Sequence, residues 1–389
     1  MFKGKLSLGP GRLKLDSSKL KSDVSKLRFD ASKLEALFKP KTPPLLGADL
    51  SSSSIKMVEL VETAKGSYRV ERYAIEPLPK DAVVEGNINN LDAVSDALKR
   101  CHKRLGTGIK NLALALPNAA VISKKILVPA GQSEEDLEMQ VETEANQYIP
   151  FSLDEVNLDF QVLGPAPNNP EDCEVLIAAS RKEKIEDRVA AAEAAGLKAQ
   201  VMDVDLYAAQ SAFELMAIGS AEEHKDQNIA MVDVGATMMT VNVLRNGQSI
   251  YLREQPFGGN ELSQEIQNRF GLSAEEAEAA KRDGGLPEEY DTEVLEPFVD
   301  KMGLEIARAL HFFFSSTPYN SVAQIVLSGG CAAIPGVEQA VERRTQVETT
   351  IANPFANMEV SSKIRAKSLT QDAPSLMVAC GLALRRFDP

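Results

Sequence analysis

The chain has 389 residues, 44% hydrophobic and 25% charged, which is long enough for two cores, and its net charge of −13 argues against nucleic acid as the main partner. It lacks the roughly 18 uninterrupted apolar residues of a membrane span, and the start, MFKGKLSLGPGRLK, has no apolar signal core, so the expected compartment is the cytoplasm. Cys101, Cys173, Cys331 and Cys380 stand far apart with no CxxC spacing, so neither a disulfide framework nor a zinc site is indicated and buried, reduced thiols are expected.

Charge is unevenly spread. Residues 1–44 hold 11 Lys and Arg against 4 Asp and Glu, a net of +7, which leaves −20 for the rest. In this leader Leu6, Leu13, Leu20, Leu27 and Leu34 recur every seventh residue, and D-x-S-K-L repeats from Asp16, Asp23 and Asp30. Residues 1–38 read either as a short amphipathic helix for a partner helix or an anionic membrane face, or as a disordered basic leader. Pro40, Pro43 and Pro44 make 39–44 a stiff linker.

From Leu45 the pattern turns strand-rich: LLGAD, IKMVELVE and YRVERYAIEPL are spaced as hairpin-connected strands. A helix is predicted over 91–105, then strands in LALALP and ISKKILVP, then a helix from the Ser133 and Asp136 capping pair to Pro150. EVNLDFQVL alternates as a strand with one wet face. EVLIAAS is another strand, and an alanine-rich helix over 182–195 stops at Gly196. After a polar break at 219–228, IAMVDVGATMMTVNVL opens a second strand-rich half.

The two openings match. Asp49 aligns with Asp233, Ser51 with Gly235, Ser52 with Ala236 and Ser53 with Thr237, each pair 184 residues apart. Each opening reads as a strand ending in Asp, a tip of small or hydroxyl residues, and a return strand. Small residues expose backbone N–H groups to an anion and hydroxyls add donors, so two facing tips suit a polyphosphate, with Asp49 and Asp233 reaching a hydrated Mg2+. Three further pieces follow in order. Gly258, Gly259 and Asn260 precede a helix whose N-terminus suits a phosphate. Glu278 and Lys281, at i and i+3, suit a ribose hydroxyl pair. Gly329 and Gly330 after a strand let a flat base or ribose approach closely.

That order resembles the actin-like ATPase superfamily, and GADLSSSSIKMVEL, the run at 144–164 and the run at 177–205 are similar to the PilM family of type IV pilus assembly. The resemblance spans about residues 45–386 and implies a bilobed α/β fold of the actin and FtsA type, with two related mixed-sheet domains. Domain I would take 45–110 and 198–218, an inserted subdomain 111–197, and domain II 228–386 with a helical subdomain at about 266–319. It implies ATP and Mg2+ as cofactors, with Lys56 and Ile334 joining the nucleotide-binding residues and Asp205 as a water-orienting group. It implies a PilN-like inner-membrane protein as partner, whose N-terminal cytoplasmic peptide docks beside the inserted subdomain, and a place at the inner membrane through such partners. The superfamily usually has Gly where Ser51 and Ala236 stand, which implies at most slow ATPase activity. An FtsA-like polymer-forming adaptor and a small-molecule kinase of the same fold are the alternatives.

Overall fold

The structure, a computed structural model, describes residues 43–166, 169–217 and 225–388, so the leader at 1–38 and the first residues of the linker lie outside it. Strands β1 (Leu46–Leu50) and β2 (Ser54–Ala64) close as an antiparallel hairpin, and β3 (Ser67–Pro77) adds antiparallel to β2. A small hairpin of β4 (Val83–Val84) and β5 (Asn87–Ile88) leads to helix α1 (Leu91–Leu105). The Asn90 side chain caps its start by accepting from the Ala93 N–H, and Gly106 at φ +69° ends it. The chain then returns as β6 (Asn111–Leu116), parallel to β1.

It next leaves this sheet. Strand β7 (Ile122–Pro129), helix α2 (Glu134–Tyr148), and strands β8 (Val156–Ala166) and β9 (Asn169–Arg181) make a separate antiparallel sheet in the order β7-β9-β8. Helix α2 packs on it through Val141 and Ala145, against Ile126, Val128, Val175 and Ile177. The alternation of β8 is visible in its burial: Val156, Leu158 and Phe160 turn to this core, whereas Val162, next to a register shift, is 48% exposed. Helix α3 (Lys182–Ala194) and strand β10 (Lys198–Val204), parallel to β6, bring the chain back, and helix α4 (Asp205–Met216) follows. The excursion is narrower than the span 111–197 expected from sequence, because β6 is hydrogen-bonded between β1 and β10 and α3 packs beside α1.

The second half repeats the plan. Strands β11 (Asn228–Val234), β12 (Met238–Arg245) and β13 (Gln248–Pro256) form an antiparallel meander. Helices α5 (Gly259–Phe270), α6 (Ala274–Asp283) and α7 (Glu296–Ser316) cross over to β14 (Gln324–Ser328), parallel to β11. Helix α8 (Val337–Thr345) then leads to β15 (Glu348–Ile351), parallel to β14. Strand β16 (Glu359–Val360) crosses back to pair with β3 of the first sheet, ahead of helices α9 (Ala366–Asp372) and α10 (Met377–Leu384). The sheets therefore run β10-β6-β1-β2-β3-β16 and β15-β14-β11-β12-β13, the same five-strand topology twice. This is the bilobed mixed α/β architecture expected from sequence.

Outer helices cover one face of each sheet, and the inner faces share a core. Val58 and Leu60 of β2, Ile229 and Met231 of β11, and Ala379 and Cys380 of α10 belong to one buried cluster. Side-chain-free contacts set its depth. A Cβ on Gly381 of α10 would lie 1.7 Å from the Ala208 carbonyl oxygen of α4, and one on Gly47 of β1 would lie 2.0 Å from that of Ala379. Because backbone meets backbone at both points, neither contact can yield by a rotamer change. Gly381→Ala is expected to lower the free energy of unfolding by about 3 kcal/mol, the top of the overpacking range. Gly108→Ala, where an added Cβ meets nothing within 4 Å, should change it by less than about 0.5 kcal/mol in the same urea titration.

Candidate functional site

The two hairpins that open the halves are the same device residue for residue. Asp49 pairs with Lys56 and Leu50 with Ile55 in the first, and Asp233 with Thr240 and Val234 with Met239 in the second, so the offset of 184 holds through both ladders. Each tip is closed by an equivalent turn bond, from Ser51 N–H to the Ser54 carbonyl at 3.1 Å and from Gly235 N–H to the Met238 carbonyl at 2.9 Å. Among the described residues, the backbone N–H groups of Ser52, Ser53, Ala236 and Thr237 donate to no protein acceptor. The tips face one another, with the Ser52 Oγ and Thr237 Oγ1 atoms 3.5 Å apart.

Behind the tips sit the carboxylates. Lys56 Nζ donates to Asp49 Oδ2 at 2.8 Å and to Ser51 Oγ at 3.1 Å, while the Ser51 hydroxyl donates to the Ser54 carbonyl at 2.8 Å. In this structure the serine hydroxyl thus braces its own tip. Asp233 Oδ2 accepts from Ser328 Oγ at 2.9 Å. Burial raises the Asp233 carboxyl above its ordinary range; the Ser328 hydroxyl and Lys56 ammonium oppose the rise, and the Asp49 charge adds to it. Asp49 and Lys56 from one lobe and Asp233 from the other therefore share one electrostatic neighbourhood. Asp205, first residue of α4, takes N–H bonds from Leu206 and Asn118 on Oδ1 at 2.7 and 2.9 Å. Burial, joined by the Asp49 and Glu254 charges against the pull of those two amides, raises its carboxyl to about 7.

The glycine-rich segments support the second tip. Gly259 N–H donates to the Gly235 carbonyl at 3.0 Å and Asn260 N–H to that of Ala236 at 2.8 Å, so the first amides of α5 hold the tip in place. A Cβ on Gly258 would lie 2.5 Å from the Gly235 oxygen, and one on Gly329, at φ +87°, 2.4 Å from the Val234 oxygen. Gly330 is exposed with open space beside it. Lys281 Nζ bonds Glu278 Oε1 and Ser263 Oγ, each at 2.7 Å. Burial raises the Cys331 thiol to about 12, and its Sγ lies 3.3 Å from the Gly235 carbonyl oxygen. Ile334, half-buried, packs on the second-lobe core. The structure thus brings Gly258, Gly259, Asn260 and Gly329 against the Val234–Ala236 segment of the second hairpin, whereas Glu278 and Lys281 pair with each other and with Ser263, and Ile334 packs on the core. It adds Ser328, Glu254, Ser263 and Asn118, which sequence reading missed. Glu254 has a signal in hindsight: it stands opposite Thr240, which stands opposite Asp233, in one cross-strand row.

The sequence model of the type IV pilus assembly protein PilM matches residues 47–387. The chain belongs to the PilM family. A solved PilM-PilN type IV pilus biogenesis complex is 28% identical with a TM-score of 0.74, covering 90% of this chain and 100% of that one. The cell division protein FtsA of Bacillus subtilis (strain 168) is 23% identical over 329 residues, 78% of this chain and 70% of its own length. The ethanolamine utilization protein EutJ of Carboxydothermus hydrogenoformans, 16% identical, shares the fold at a TM-score of 0.53 over 89% of this chain and 90% of its own. This PilM-family chain is an actin-like protein of type IV pilus assembly. Among its described residues no helix is long and apolar enough to cross a membrane.

In this PilM-family site the Asp205 carboxyl is displaced toward neutral pH, to about 7. A carboxyl raised on folding binds its proton more tightly in the native state, so its contribution to stability is complete below the ordinary value of about 4. That contribution is lost as pH climbs through 7. Asp205→Asn keeps an acceptor for both amides and removes the ionisation. The variant should match wild type at pH 4 and exceed it by on the order of 3 kcal/mol at pH 8, measured by denaturant titration. Equal pH slopes would contradict this account of Asp205.

Proposed function

We propose that this chain binds Mg-ATP between its two hairpin tips and serves as a nucleotide-responsive scaffold that docks a PilN-like inner-membrane protein. The observation that carries the reading is the pair of matched tips, Ser51–Ser53 and Gly235–Thr237, facing one another with an aspartate behind each. The residues fit the group. The tip amides and the Ser52 and Thr237 hydroxyls are hydrogen-bond donors suited to phosphate oxygens. Asp49 and Asp233 offer the hard oxygen ligands that magnesium takes alongside its waters, and among the described residues no three His, Cys, Asp or Glu side chains form a protein-only metal cage. When bound, the metal would neutralise phosphate charge. Lys56, between Asp49 and Ser51, adds a fixed positive charge, and Glu278 with Lys281 would hold the ribose. Asp205 would orient a water, and slow turnover fits the side chains at Ser51 and Ala236.

PilN is the partner in the solved relative that this chain covers in full, and the family is one of type IV pilus assembly. The peptide's dock would be the excursion subdomain, where Leu127, Met139, Tyr148, Phe151 and Val162 are exposed apolar side chains on the β7-β9-β8 sheet, on α2 and just past it. Such docking would place the protein on the cytoplasmic side of the inner membrane through its partner. Calorimetry should detect Mg-ATP binding to wild type and at least about a tenfold weaker affinity, 1.4 kcal/mol, for Asp49→Ala combined with Asp233→Ala. The same pair should change capture of a PilN cytoplasmic peptide in the presence of Mg-ATP. Absence of heat with the wild type would overturn the nucleotide reading, and failure of the wild type to capture the peptide would overturn the docking reading.

A further inference from the structure

The excursion subdomain hangs from the first lobe by two chain crossings, and both are tied at their base. Outgoing, the chain leaves β6 at Ala115 and Leu116 and passes a short turn at Asn118–Ala120; incoming, β9 runs straight into α3 at Arg181 and Lys182. Ser180 Oγ of the incoming strand donates to the Ala120 carbonyl of the outgoing turn at 2.8 Å. Two turns into α3, Arg188 is 2% exposed. Its guanidinium donates to the Ala115 carbonyl at 2.8 Å, the Gly86 carbonyl at 2.7 Å and the Lys184 carbonyl at 3.3 Å. Among the described residues it meets no carboxylate in a salt bridge. A buried cation spent wholly on carbonyl oxygens serves to hold backbone segments together, and here they are the two crossings and the neighbouring turn at Gly86.

The outgoing turn is also tied to the cleft. Asn118 N–H donates to Asp205 Oδ1, a bond spanning 87 residues of sequence, and the same oxygen accepts from Leu206 N–H at the start of α4. Asn118 directly follows Pro117 and opens the turn, so its amide is a donor with no partner inside the turn itself. A hydrogen bond to the Asp205 carboxyl in the cleft thus fixes the first residue of the outgoing turn.

We propose that Asn118 and Arg188 are positioning residues that carry the state of the cleft to the excursion subdomain. Whatever binds against Asp205 acts through the Asn118 amide on the outgoing crossing, and Arg188 makes the two crossings move together. This rests on the reading that nucleotide occupies the cleft, and it adds the route by which the occupied cleft alters the subdomain proposed to dock the partner. Coupling of this kind requires that the two states differ in a contact both sites share, and the Asp205–Asn118 bond is such a contact.

The test is hydrogen–deuterium exchange of the full chain with and without saturating Mg-ATP, followed over β7 (Ile122–Pro129) and α2 (Glu134–Tyr148), with ATP affinity measured in parallel by calorimetry. Asn118→Pro deletes the donor at a turn position where proline's fixed φ is tolerated. Asn118→Ala keeps the donor, and Arg188→Met releases the crossings. The expected result is a nucleotide-dependent change in exchange over β7 and α2 in wild type and Asn118→Ala. In Asn118→Pro that change should fall at least fivefold, and in Arg188→Met it should fall likewise while ATP affinity stays within threefold; should Asn118→Pro not fold, Arg188→Met alone reports the loss. If ATP binds wild type but exchange over β7 and α2 does not respond, or if Asn118→Pro and Arg188→Met respond as wild type does, the coupling is overturned and nucleotide binding stands. Absence of ATP heat in wild type overturns both.

Discussion

Backbone lying on backbone at the centre of the molecule is the constraint from which the rest of the structure follows. Helix α10 touches strand β1 at Gly47 and helix α4 at Gly381 with no room for a methyl group at either. Strand β1 ends in Asp49, helix α4 begins at Asp205, and the strand β11 that carries Asp233 shares its buried inner face with α10. Three carboxylates from two lobes are thereby brought into one field, in which burial and mutual repulsion raise Asp205 and Asp233, the Lys56 ammonium relieves Asp233, and the buried Arg188 guanidinium faces the Asp205 and Asp49 charges. Such a concentration of like charge is costly to a folded protein unless a cation offsets it, and that cost is the physical reason to read the cleft as a metal and polyphosphate site.

Duplication explains why so much of this was legible in the sequence. The hairpin tips are local structures, set by a strand, a short turn and a return strand, so matching residues 184 apart predicts both tips and their ladders without any long-range information. The two-lobed α/β class came from the family resemblance that the ordered motifs carry. The helix predicted over 91–105 is Leu91–Leu105 in the fold, where the Asn90 side chain caps its start and a left-handed Gly106 ends it, both local features.

What was not legible depends on contacts between distant segments. The Gly258 and Gly259 pair announces close backbone approach, and sequence reading assigned that approach to a phosphate; in the fold the near neighbour is the Gly235–Ala236 turn, whose carbonyls take the first amides of α5. The bonds from Ser328 to Asp233 and from Asn118 to Asp205 join residues 95 and 87 apart, and no periodicity marks them. Which sheet takes β6 is likewise not local: its apolar run tells that it is buried but not which sheet buries it.

The account stands or falls on whether the two tips close on the same object. Disulfide trapping of Ser52→Cys with Thr237→Cys measures this directly, since the replaced hydroxyl oxygens lie 3.5 Å apart and a disulfide needs side chains at that range. The account predicts rapid crosslinking within one chain under mild oxidant, slowed at least tenfold by Mg-ATP entering between the tips. Failure to crosslink, or a rate that ignores Mg-ATP, would contradict it.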